Sequence, residues 1–168
     1  MSAESRGLHA RIATVVSSLD GLVGAHVDTL AEVFLRGAAV EPEELGELPR
    51  GRLLAVGGTE ALHLALRPGV RALSSLFTVW DGIVFDHGGT AGANRFGGRE
   101  ALRFKVERGA SRLDAGPALV LRYDDAPWPL KGLRDELRLI APGLAMGPAY
   151  LADNVVAWFG LEADPRAV

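Results

Sequence analysis

From Trp80 onward the chain alternates short apolar stretches with Gly, Pro and Asp punctuation, and hydrophobic positions recur with a period of two. Five segments read as strands: Trp80–Asp86, Ala101–Arg108, Pro117–Tyr123, Leu144–Leu151 and Val155–Glu162. In Ala101–Arg108, Leu102, Phe104 and Val106 share one face, while Arg103, Lys105 and Glu107 share the other. From Val155 to Leu161 both faces are apolar, as expected of a strand covered on both sides. Gly147-Pro148, in the middle of the strand before it, predicts a bulge or an edge position.

The first third follows a helical period instead. Leu8, Ile12, Val15, Val16, Leu19, Leu22 and Val23 form one stripe, which Val27, Leu30, Ala31 and Phe34 continue. Gly21 and Gly24 predict a kink or break after Asp20, and Gly37 a stop. Glu41–Leu45 reads as a short helical turn with proline in its first turn. Gly46–Leu54 reads as loop running into an apolar patch. A second helix is expected from Thr59 to about Leu66, with Pro68 interrupting and Val70–Phe77 resuming it. One helix is also expected near 130–140, where Leu133, Leu137 and Ile140 share a face and Pro142-Gly143 closes it. The expectation is one domain, 1–168, mainly helical over 1–79 and mainly antiparallel β over 80–162. Its fold class is α+β: an antiparallel β-barrel or strongly curved sheet packed with N-terminal helices.

Composition narrows the function. At 168 residues, 48% hydrophobic and 23% charged, the chain has the make-up of a soluble globular protein. A net charge of −3 argues against a nucleic-acid partner. No cysteine is present, so thiolate metal sites and disulfides are excluded. No apolar run approaches the ~20 residues that span a bilayer. The first residues lack the basic-then-apolar order of a signal peptide, so a cytoplasmic setting without membrane contact is expected.

Most signatures of chemistry are missing. No phosphate-loop, dinucleotide-loop or G-x-S-x-G spacing occurs, and no cofactor is expected. His9, His26, His63 and His87 form no metal-binding pair, so no metal is expected. His87, beside Asp86, is the histidine in the sheet region and thus the one candidate acid or base of its kind. The Asp86–Phe96 segment is either a flexible turn or a lid with Asn94 and Arg95 fixing a ligand. Arg103 and Lys105 belong either to a solvated face or to a barrel mouth, and Arg122 poses the same question one strand on. Tyr150 and Trp158 are either core or pocket wall. Arg134-Asp135-Glu136 supplies either a carboxylate to a pocket or salt bridges.

Three stretches resemble small bacterial proteins of largely uncharacterised activity, in which a G-x-W-x-G segment precedes a lipocalin-like β domain. They are Gly46–Leu54, then Trp80–Phe85 with Asn94-Arg95 downstream, and Leu133–Arg138 with Gly143–Gly147. Leu48 and Pro49 stand where that family carries its tryptophan, and Ile83 where it often carries a lysine. The resemblance implies a small antiparallel barrel with N-terminal helices and no catalytic residues to transfer.

The function expected is binding of a small, largely apolar molecule in a cavity of at least a few hundred Å3. Trp80, Tyr123, Tyr150 and Trp158 are the expected walls, and Asn94, Arg95, Arg103 and Arg122 the anchors. The alternative is a cofactor-independent isomerase or cyclase using Tyr123 or Arg95 as hydrogen-bond donor and a carboxylate or His87 as base. A third is an interaction module in which the Leu8–Phe34 stripe forms a homodimer or packs on a partner.

Overall fold

A computed structural model describes residues 16–56 and 64–167. Eight strands form a closed antiparallel barrel in simple up-and-down order, each paired with its neighbour in sequence and the last with the first. They are β1 (Arg50–Val56), β2 (Trp80–Phe85), β3 (Ala91–Phe96), β4 (Arg99–Ala110), β5 (Pro117–Arg122), β6 (Leu133–Ala141), β7 (Leu144–Leu151) and β8 (Asn154–Glu162). Closure leaves no open sheet edge. This is the α+β, lipocalin-like barrel that the strand pattern and the resemblance predict.

Alternation along each strand sorts side chains between the two faces. Leu119, Leu121 and Tyr123, then Leu133, Leu137 and Leu139, then Ala157, Phe159 and Leu161, belong to the inner core with Ile83, Phe85 and Phe104. The outer face of β6, β7, β8 and β1 carries a second core. There Leu54, Leu144, Met146 and Trp158 are covered by Leu19, Leu22 and helix α1 (Val27–Leu35), through Leu30, Val33 and Phe34. The Leu19–Phe34 part of the N-terminal stripe is thus spent on its own barrel. The part from Leu8 to Val15 lies outside the described residues.

Helix α2 (Pro42–Leu45) closes one end of the barrel, with Leu45 fully buried and Glu44 accepting from the Glu41 backbone N–H at 2.8 Å. Helix α3 (Arg67–Phe77) crosses the other end between β1 and β2. Pro68 starts this helix rather than interrupting one, because a missing N–H costs nothing in the first turn. The expected helix from Thr59 falls mostly outside the described residues, and Leu64–Leu66 form a single 3-10 turn.

Four expectations of local structure are corrected. Gly46–Leu54 and Asp86–Phe96, expected as loops, contain most of β1 and all of β3. The helix expected near 130–140 is strand β6. Its apolar spacing of four fits a helix, but its charged residues are themselves buried: Asp135, Glu136 and Arg138 are each less than 9% exposed. Gly147-Pro148 does not mark an edge, since β7 lies between β6 and β8, and the register shift against β8 falls just after it, between Ala149 and Tyr150. Pairing with β6 instead lapses between Asp135↔Ala149 and Arg138↔Met146, where Pro148 has no N–H to give.

Candidate functional site

A cavity of about 30 Å3 lies at the barrel end that α3 covers. Leu73, Leu76 and Phe77 of α3 form its roof, and Trp80, Phe96, Leu102, Leu133, Ala149 and Phe159 its apolar walls. Asn94, Tyr123 and Asp135 supply the polar lining. That is an order of magnitude below the volume expected from sequence. An eight-stranded barrel is just wide enough for side chains to fill, and α3 lowers three more into the mouth. What remains holds about two waters, or one polar head group.

Two pairs of adjacent strands, β2–β3 and β5–β6, place the polar residues. Tyr123 follows β5, where alternation with Leu121 turns it inward, and Asp135 sits across the sheet from Leu121 and Ala149. Asn94 enters from β3, and Trp80 from the start of β2. Gly51 makes room for the indole, since a Cβ there would lie 2.5 Å from the ring of Trp80. The ring packs edge-on against Phe77 (5.3 Å) and Phe159 (5.8 Å).

These four groups form one directional hydrogen-bond chain. Trp80 Nε1–H donates to Asn94 Oδ1 at 2.9 Å. Asn94 Nδ2 donates to Tyr123 Oη (2.9 Å) and to the Leu102 carbonyl (3.2 Å), which uses both amide hydrogens. Tyr123 Oη–H donates to Asp135 Oδ2 at 2.8 Å. Every donor is consumed along the way. The chain ends on Asp135, whose other oxygen, Oδ1, has no hydrogen-bond partner among the described residues.

Burial dominates the titration of this pair. It pushes the Asp135 carboxyl up from 3.8 to about 7, the Tyr123 hydrogen bond offsetting it only in part. The Tyr123 hydroxyl is pushed well above 10 by burial first and by the charge of Asp135 second. Near neutral pH Asp135 therefore populates both forms: an acceptor when ionised, a donor when protonated.

Of the residues expected from sequence, Trp80, Asn94 and Tyr123 come together here. The rest do not, and strand alternation is the reason. Trp158 points outward from β8 because Ala157 and Phe159 point in, and it packs edge-on against Phe34 at 6.1 Å. Tyr150 lies on the outer face beside Arg112, whose guanidinium stands 5.2 Å from its ring. Burial pushes its hydroxyl up to about 12. Arg103 pairs with Asp86 (2.7 Å), and Arg122 with Glu107 (2.8 Å) and Asp124 (2.9 Å), all on the outer surface. Arg95 lines an outer groove with Arg50 and Arg166. His87 is almost fully exposed, 3.1 Å from Glu47. None of the expected arginine anchors reaches the cavity.

The α3 roof is the part that sequence reasoning missed, and Asp135, weighed there as a pocket carboxylate on a helix, reaches the cavity from a strand. Asp135 alternates with Leu133 and Leu137, a strand signal hidden by the charges beside it. Those charges are held on the outer face: Glu136 accepts from Ser111 Oγ (2.6 Å), the Arg112 N–H (2.9 Å) and Arg134 (3.0 Å). Arg138 forks onto Asp114 at 2.7 and 2.9 Å. Among the described residues no group of acids and histidines is placed to hold a metal ion. No helix among them is long and apolar enough to cross a membrane.

No protein-family model matches the chain, and no curated protein matches it. Among solved structures it is similar to a crystal structure of a protein from Thermomonospora curvata, with a TM-score of 0.54 and 14% identity over 96% of this chain and 99% of that one. At that identity the likeness is one of fold.

Proposed function

We propose that the barrel binds a small, largely apolar molecule at the end covered by α3, with Trp80, Asn94, Tyr123 and Asp135 orienting its polar group. One observation carries the proposal. A carboxyl more than nine-tenths buried, bonded to Tyr123 through one of its oxygens, lines a cavity that is otherwise mostly apolar. The carboxyl has a second oxygen with which to accept from a ligand donor. A few convergent polar groups in an apolar pocket are the usual make-up of a small-molecule site. The free volume seats a head group, so the body of the ligand displaces the α3 side chains. This helix suits such movement: it has no capping side chain at its N-terminus, no acid in its first turn and no base in its last. A cytoplasmic setting and self-association belong to the same proposal.

The test is a titration with small alcohols and aromatic fragments, read at the Trp80 indole N–H by NMR. The expected result is a saturable shift that is lost in Leu76→Trp, which fills the cavity. The absence of any shift up to the solubility limit, or equal shifts in the variant, would overturn the proposal. Native mass spectrometry of freshly purified protein would then give the mass of a retained natural ligand.

The position of Asp135 favours one further reading, a cofactor-independent isomerase or cyclase. A carboxyl poised near neutral pH both accepts and returns a proton, which is what proton transfer in such reactions requires. Under that reading Asp135→Asn retains ligand and stops its conversion; unchanged turnover in the variant would exclude Asp135 as the acid or base.

A further inference from the structure

The cavity is acidic rather than basic. Its lining holds one carboxyl and one phenol, with no Lys, Arg or His. Tyr123 is the titratable group that faces Asp135. The other elements around it present Asn94 (β3), Leu102 (β4), Ala149 (β7), Phe159 (β8) and the apolar roof of α3. An anionic ligand would meet the Asp135 charge with nothing to answer it. The hydrogen-bond chain adds a second restriction. The Trp80, Asn94 and Tyr123 donors are all spent within it, so the ionised site has only an acceptor left to offer.

The walls add a third. Trp80, Phe77, Phe96 and Phe159 bring aromatic rings to a space the size of one head group, and ring faces attract cations, most strongly when water is excluded. We propose that the ligand is a protonated amine, its alkylammonium head seated between the Asp135 carboxylate and these rings; this rests on the ligand-binding reading above. Such a head fits the free volume and donates to Asp135 Oδ1. It also supplies the positive charge that the buried carboxylate lacks. Binding exchanges a proton for a cation: Asp135 gives up its proton as the ammonium arrives, so affinity rises with pH until the carboxyl is ionised in the free protein.

Three isosteres test this on the wild-type protein: isobutylamine, isobutanol and isobutyrate, each titrated at pH 8 and pH 5 and read at the Trp80 indole N–H. Expected is amine binding at least about tenfold tighter than alcohol binding at pH 8. That preference should disappear at pH 5, and isobutyrate should produce no shift at pH 8, where it and Asp135 are both ionised. Asp135→Asn should bind the alcohol and lose the preference for the amine; if the variant fails to fold, the wild-type pH series decides. Alcohol binding equal to amine binding at pH 8 would overturn the amine assignment and leave the ligand-binding reading standing. No shift with any of the three would overturn both.

Discussion

The Tyr123 hydroxyl donates to Asp135 Oδ2 over 2.8 Å, and the same carboxyl lines a cavity with no cation on its wall. Burial raises this carboxyl to about 7, against the lowering effect of the Tyr123 hydrogen bond. An acid whose folded value lies above its unfolded value costs stability once the unfolded state loses its proton. Below about pH 4 both states are protonated and there is no cost. The cost grows between 3.8 and about 7 and is complete above that.

Asp135→Asn should therefore be more stable than wild type at pH 8 by a few kcal/mol, and no more stable at pH 4. Urea denaturation at the two pH values measures the difference. Asp114, which Arg138 holds down at about 2, loses its contribution only below pH 4 and leaves this window untouched. A constant difference between variant and wild type across the window would refute the assignment.

Tyr123→Phe removes one donor and one acceptor at once. Asn94 keeps an amide hydrogen without its partner, and Asp135 loses its hydrogen bond. The expected loss is about 1–3 kcal/mol, with the Asp135 carboxyl rising further. Denaturation midpoints and the carboxyl titration check the two halves separately.

Gly147→Ala tests the packing of β7 on β6. A Cβ at this position would lie 1.7 Å from the Glu136 carbonyl oxygen, which is backbone and cannot swing aside. A loss of about 3 kcal/mol or more is expected, beyond the usual range for a surface substitution. Thermal unfolding of the variant beside Gly21→Ala, where a Cβ meets nothing within 4 Å, separates this clash from a general cost of replacing glycine.

The barrel was legible because strand alternation survives in most of its sequence. Leu119, Leu121 and Tyr123 declare their face, and so do Leu102, Phe104 and Val106. The same alternation determines that Arg103, Arg122, Tyr150 and Trp158 point outward, but only once the inner face is known. For Trp158 that face is ambiguous, because α1 makes the outside of β8 as apolar as the inside. β6 was misread for the opposite reason. Its polar residues are buried on both faces, Asp135 inside and Glu136 outside, and hydropathy cannot express a buried charge whose partners lie more than twenty residues away in Ser111 and Arg112. The roof was illegible because an amphipathic helix such as Arg67–Phe77 does not say what it covers.

The measurement that bears most directly on the account is the titration of the Asp135 carboxyl by 13C NMR, in the free protein and with a saturating small amine. The account predicts a midpoint near 7 in the free protein, lowered when the amine is bound. A midpoint near the ordinary aspartate value of about 4, unmoved by the amine, would contradict it.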